Sequence, residues 1–140
     1  MGKEIERKFL VSGDFKVDAT GSREILQGYL VTDPGKTIRI RITDQEAFIT
    51  IKNKAKEGSF SRGEWEYRIP VEDARELLLL CLPGRIEKTR YLVPAGKHTF
   101  EVDVFHGSHE GLIIAEIELD NESEYFSKPG WLGVRPASRG

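Results

Sequence analysis

A mainly β, α+β fold, built on an eight-stranded antiparallel barrel with a charged lumen and helices packed outside, is predicted by three features of this chain. Short segments rich in β-branched and aromatic residues recur with turn residues between them. Within these segments charge falls on every second residue, as in Ile38-Arg39-Ile40-Arg41-Ile42. The sign is also uniform within most segments: Glu4 and Glu6, Arg39 and Arg41, Glu64 and Glu66, Lys88 and Arg90, Glu101 and Asp103, Glu116 and Glu118. Residues i and i+2 of a strand share one face, roughly 7 Å apart. At an effective dielectric near 20 two like charges so placed repel by roughly 2 kcal/mol. A solvated face would mix its signs. A sandwich leaves such a face wet, whereas a barrel can enclose it around ions that neutralise each cluster, and this favours the barrel.

Each element follows from local signals. Lys3 to Val11 alternates and reads as the first strand, followed by a turn-rich stretch from Gly13 to Ser22 suited to a loop or short helical turn. Glu24 to Thr32 reads as the second strand and stops at Asp33-Pro34-Gly35. Lys36 to Thr43 and Glu46 to Lys54 form a hairpin across Asp44-Gln45. A polar loop from Ala55 to Ser61 leads into the alternating Arg62 to Ile69. Pro70 precedes Val71 to Leu80, with acidic residues first and leucines last, a helix ended by Pro83-Gly84. Strands resume at Arg85 to Val93, Lys97 to Phe105 and Leu112 to Leu119. The apolar face of these strands needs cover, which the leucine-rich helix and the segment around Tyr125, Phe126 and Trp131 can supply.

The 140 residues suit a single domain over 1–140. A net charge of −2 gives no reason to expect nucleic acid or membrane surfaces as partners. Cys81 is the sole cysteine, which excludes an internal disulfide and a cysteine-built zinc cluster. The N-terminus is charged where a signal peptide is apolar, and no apolar run spans a bilayer, so a cytoplasmic location is expected.

Alternating carboxylates suit hard divalent cations, which take oxygen ligands and often keep waters beside substrate phosphates. A lone Glu-x-Glu is usually a solvated face; repetition beside basic rows favours the metal reading. Arg and Lys rows suit phosphate chains. Together they describe metal-assisted phosphoryl transfer. Tyr29 either packs or projects into the lumen to orient water. Gly35-Lys36-Thr37 is a turn and not a phosphate loop, because a strand follows it where a helix is required. His98, His106 and His109 lack ligand spacing and read as surface residues, and Cys81 reads as core filler.

The chain resembles the CYTH superfamily, the triphosphate tunnel metalloenzymes, from Lys3 to about Gly133. The resemblance is carried by Glu4-Ile5-Glu6-Arg7-Lys8, Gln27-Gly28-Tyr29-Leu30, Arg39-Ile40-Arg41, Thr50-Ile51-Lys52, Glu64-Trp65-Glu66, Lys88-Thr89-Arg90, Glu101-Val102-Asp103 and Ala115-Glu116-Ile117-Glu118-Leu119. It implies a tunnel-forming eight-stranded barrel and action on a small triphosphate with Mg²⁺ or Mn²⁺, two ions per site. It implies metal ligation by Glu4, Glu6, Glu116 and Glu118, assisted by Glu64, Glu66 and Asp103. Lys8, Arg39, Arg41, Lys52, Lys88, Arg90 and Arg62 are the implied phosphate contacts, with Tyr29, Lys8 and Arg41 closest to the chemistry. The expected reaction is hydrolysis of tripolyphosphate to pyrophosphate and phosphate by a monomer or homodimer. Class IV adenylate cyclase, thiamine triphosphatase and a non-catalytic polyphosphate-binding module are the alternatives. From about Val134 the sequence departs from the family pattern and reads as atypical or truncated.

Overall fold

The computed structural model describes residues 5–53 and 63–134. Glu4 and Arg62, together with the Ala55–Ser61 loop and residues 135–140, lie outside the described residues. The elements run β1 (Ile5–Leu10), β2 (Gly21–Thr32), β3 (Lys36–Thr43), β4 (Glu46–Asn53), β5 (Gly63–Ile69), α1 (Val71–Leu79), β6 (Ile86–Ala95), β7 (His98–His106) and β8 (Ile113–Leu119). Single 3-10 turns occupy Lys16–Asp18 and Gly107–His109. The eight strands form one sheet in the order β1-β8-β7-β6-β2-β3-β4-β5, bearing out the mainly β, antiparallel expectation. Among the described residues no helix is long and apolar enough to cross a membrane.

The chain divides into two compact units. The first comprises residues 1–23 and 88–140, and so holds β1, the start of β2, most of β6, and β7 and β8. Its strands place Phe9, Val93, Phe100, Val102, Ala115, Ile117 and Leu119 on one face, all buried. Phe126 and Trp131 close over that face, as expected, but Tyr125 stays 81% exposed and covers nothing. Trp131 meets Phe100 edge-on at 5.2 Å, and Phe9 meets Phe126 at 5.9 Å. Such pairs add ~0.5–1.5 kcal/mol each beyond area burial. Past Trp131 the backbone lies along the end of β1, where the Gly133 amide donates to the Leu10 carbonyl at 2.7 Å and the Leu10 amide to the Val134 carbonyl at 2.8 Å.

The second unit, residues 24–87, holds most of β2, then β3 to β5 and α1. Ile40 and Ile42 of β3 and Ala47 of β4 pack under Ala74 and Leu78 of α1. Ala74 and Leu78 are four apart and therefore share the helix face that buries. Glu72 and Asp73 sit in the first turn, where carboxylates favour the helix dipole. Leu79 and Leu80 fall on the other side and remain exposed, as do Trp65 and Tyr67 of β5, so the expected cover of the apolar face is incomplete. The hairpin turns at Asp44 (φ 54°), an αL position that Asp tolerates, and its carboxylate accepts the Glu24 amide at 3.1 Å.

Gly28 decides how closely α1 can approach. A Cβ there would stand 3.1 Å from Cys81 Cβ, 3.2 Å from Cys81 Sγ and 3.4 Å from Leu78 Cδ2. Gly28→Ala is expected to destabilise the protein by about 1–3 kcal/mol, the usual cost of overpacking. An unchanged denaturant midpoint would show that α1 shifts without strain.

Candidate active site

Register turns the charged rows into a lattice. In the first unit Glu6 stands opposite Glu118 and Lys8 opposite Glu116 across β1 and β8, while Glu101 faces Glu116 across β7 and β8. Directly opposed residues have Cβ atoms ~4.5–5.5 Å apart, so Glu116 lies between Lys8 on one side and Glu101 on the other. Glu6, Glu101, Glu116 and Glu118 line a cleft of ≈ 450 Å³ that Lys97 and His98 also border. Burial, then the nearby Glu6 carboxylate, raises the pKa of Glu116 above the usual carboxylate value, with Lys8 opposing. A bound cation would relieve such crowding, and an all-oxygen donor set fits Mg²⁺ or Mn²⁺. Among the described residues no three acidic, histidine or cysteine groups already converge into a ligand cage.

Two basic residues of the same unit are held differently. Asp103, 2% exposed, accepts Lys88 Nζ at 2.8 Å, Arg90 Nε at 2.8 Å and Arg90 Nη2 at 3.0 Å. Arg90 Nη1 also lies 3.6 Å from Glu101. Burial pushes the Asp103 carboxyl up, but the Arg90 and Lys88 hydrogen bonds outweigh it and its pKa ends below the ordinary value. The hydrogen bond to Asp103 raises Arg90 in return. Asp103, expected among the metal-assisting residues, spends both oxygens on two cations.

The second unit carries the other row. Arg39 lies opposite Tyr29 and Thr50, Arg41 opposite Gln27, Thr50 opposite Glu66 and Lys52 opposite Glu64, all on one face. Gln27 Oε1 accepts Arg41 Nε at 2.8 Å. The buried Thr50 hydroxyl donates to Glu66 Oε2 at 2.9 Å and accepts Arg39 Nη2 at 3.4 Å. Glu66 and Arg39 are 4.0 Å apart, and Lys52 and Glu64 3.8 Å. Both pairs include half-exposed partners, so each contributes ~0–1 kcal/mol. A bulge shifts the β2 register between Tyr29 and Val31, and the Tyr29 carbonyl accepts the Leu82 amide at 2.8 Å. Bulges re-aim side chains next to functional sites.

Of the expected site residues, Glu6, Lys8, Lys88, Arg90, Asp103, Glu116 and Glu118 share the charged face of the first unit. Tyr29, Arg39, Arg41, Lys52, Glu64 and Glu66 share that of the second. Gln27 and Thr50 had no assigned role, although each stands two residues from a named site residue and so shares its face. The surface reading of the histidines fails for His98, whose side chain is 15% exposed and bonds Glu124 Oε2 at 2.6 Å. His106 bonds Thr89 Oγ1 at 2.8 Å, and His109 is exposed.

Carboxylate ladders in the first unit and basic rows in the second are the side-chain types that divalent cations and phosphate chains respectively take. The chain belongs to the CYTH domain family, which it matches over residues 2–135. Members of this family are metal-dependent enzymes. The chain is 45% identical over 134 residues to an inorganic triphosphatase of Acetivibrio thermocellus, covering 95% of this chain and 85% of the relative. It is 39% identical over 136 residues to an inorganic triphosphatase of Nitrosomonas europaea, covering 93% and 86%. A crystal structure of an inorganic triphosphatase superposes with a TM-score of 0.73 at 33% identity, covering 95% of this chain and 85% of that one.

Proposed function

We propose that this protein is a metal-dependent inorganic triphosphatase that hydrolyses tripolyphosphate to pyrophosphate and phosphate. The observation that carries the reading is the pairing of crowded carboxylates with guanidinium rows in a chain 45% identical to an inorganic triphosphatase. Roles divide by residue type. Glu6, Glu116 and Glu118, with Glu4, hold Mg²⁺ or Mn²⁺, two ions per site, which neutralise phosphate charge and polarise the phosphoryl oxygens. Arg39, Arg41, Lys8, Lys52, Lys88, Arg90 and Arg62 grip the phosphates, Arg by bidentate contacts and Lys as point charges. Glu64 and Glu66 steady Lys52 and Arg39. Tyr29 orients the attacking water. The water oxygen bonds to the terminal phosphorus, the bridging P–O bond breaks and that oxygen leaves with pyrophosphate, while one water proton stays on the released phosphate and the other passes to solvent. The chain acts as one domain, as a monomer or homodimer, in the cytoplasm.

The test is phosphate release from tripolyphosphate, with ATP in parallel, with and without Mg²⁺ or Mn²⁺. Metal-dependent release strongly favouring tripolyphosphate is the expected result. No release by the folded protein would overturn the reading, and cyclic AMP formation from ATP would replace it with a cyclase.

A further inference from the structure

We infer that Thr50 is a positioning residue for substrate binding, whose hydroxyl aligns the Arg39 guanidinium for phosphate and spaces it from the Glu66 carboxylate. The inference rests on the proposed triphosphatase reading and adds a residue to its binding machinery. Thr50 lies on β4, 2% exposed, opposite Arg39 on β3 and Glu66 on β5, so the three form one row across adjacent strands. Its hydroxyl has a single proton, which goes to Glu66 Oε2 at 2.9 Å, and its oxygen accepts Arg39 Nη2 at 3.4 Å. Arg39 Nη2 and Glu66 Oε2 are themselves 4.0 Å apart, beyond hydrogen-bond reach. Arg39 Nε is buried and has no hydrogen-bond partner. Among the described residues, therefore, the Thr50 hydroxyl alone ties the guanidinium by a hydrogen bond, and Nη1 is left without one.

The residue type carries the second half of the inference. A buried strand position is filled as well by valine, which has the same branched shape and strand preference and no hydroxyl to desolvate. The hydroxyl is what valine lacks, and in this row it acts at both ends. Donating to a carboxylate polarises the hydroxyl and makes its oxygen a better acceptor for Arg39. It also keeps that carboxylate one group away from the guanidinium. Lys52 and Glu64, the next pair along the same ladder, have no such intermediary in their register and lie 3.8 Å apart. A direct fork between Arg39 and Glu66 would occupy two of the donors that arginine offers to phosphate oxygens.

The discriminating test is a double-mutant cycle between Thr50→Val and Arg39→Met. Tripolyphosphate binding is measured by titration calorimetry in metal-free buffer, so that turnover is not required, and KM and kcat are measured with Mg²⁺. Thr50→Val is expected to weaken binding and raise KM by about fivefold or more, with kcat changed far less, and Thr50→Ser to stay within about twofold of the wild type. Added to Arg39→Met, Thr50→Val should cost less than about twofold further, because its effect passes through Arg39. An equal loss in both backgrounds, or no loss in Thr50→Val alone, would overturn the inference. If Thr50→Val melts early, Thr50→Ser and Thr50→Ala decide, since they differ by the hydroxyl alone. Several-fold tighter binding by the serine variant then supports the alignment role, and equal binding overturns it. A wild-type protein that binds but does not hydrolyse tripolyphosphate would defeat the triphosphatase reading alone, and one that does not bind it would defeat both.

Discussion

Glu116→Gln is expected to lower the turnover of tripolyphosphate about 10²-fold or more while leaving the metal-free protein at least as stable as the wild type. The two effects come from one cause. Glu116 sits across from Lys8 and Glu101 and near Glu6, and its pKa is raised first by burial and then by Glu6. A carboxyl whose folded pKa is raised binds its proton more tightly in the folded than in the unfolded chain. It therefore stabilises the fold fully below its ordinary pKa of about 4.5, and that contribution disappears as pH rises through the higher folded value. At neutral pH, without metal, Glu116 works against folding, and glutamine removes the repulsion along with the charge a cation needs. Thermal melts with and without Mg²⁺ or Mn²⁺ check this together with phosphate release. The wild type should gain more from metal than the variant does. Near-normal turnover, or an equal metal-induced gain, would remove Glu116 from the metal site.

Alternation was legible because a strand has only two faces. Ile40 and Ile42 against Arg39 and Arg41 state which residues enter the core and which enter the charged row, and β3 folds accordingly, although Ile38 at its start stays only partly buried. The helix was legible from its acidic first turn, its leucine-rich end and the Pro83-Gly84 stop. Pairing was not, because it depends on register between strands distant in sequence. Asp103 sits among acidic pairs in the sequence, yet its partners are Lys88 and Arg90, 15 and 13 residues away across the β6–β7 hairpin. His98 meets Glu124 through a loop with no periodicity to read. Gln27 and Thr50 were overlooked because neutral residues give no charge signal, although their parity with Tyr29 and Lys52 places them on the charged face.

These differences separate residues of identical type. Two carboxylates one strand apart, Glu116 on β8 and Asp103 on β7, have pKa values displaced in opposite directions. Burial acts upward on both. The outcome turns on whether the neighbours are acids or hydrogen-bonding bases. Groups pushed apart in this way commonly hold different roles at a functional site, which makes their contrast more informative than either residue alone.

Asp103→Ala is accordingly expected to move stability the other way. The substitution leaves the Lys88 and Arg90 side chains, 9% and 16% exposed, without the carboxylate they share. Removing one partner of a buried ion pair costs about 3–5 kcal/mol, and because Arg90 keeps the Glu101 carboxylate at 3.6 Å the expected loss falls toward the lower figure. For a chain of this size that loss lowers the melting temperature by roughly 10 °C or more. Asp103→Asn, which retains an acceptor but no charge, should fall between the variant and the wild type. The pH dependence has a definite sign. Because its folded pKa is lowered, Asp103 contributes its stability above the ordinary value of 3.8 and loses it only as pH falls through the depressed one. The gap between wild type and Asp103→Ala should therefore hold from neutral pH to about pH 5 and close only in stronger acid. Metal-free melts decide between the two roles open to this carboxylate. A metal ligand crowded by other acids would, like Glu116, raise the melting temperature when removed, whereas a tie holding two cations lowers it. An Asp103→Ala protein that melts above the wild type and no longer responds to Mg²⁺ would return this residue to the metal site.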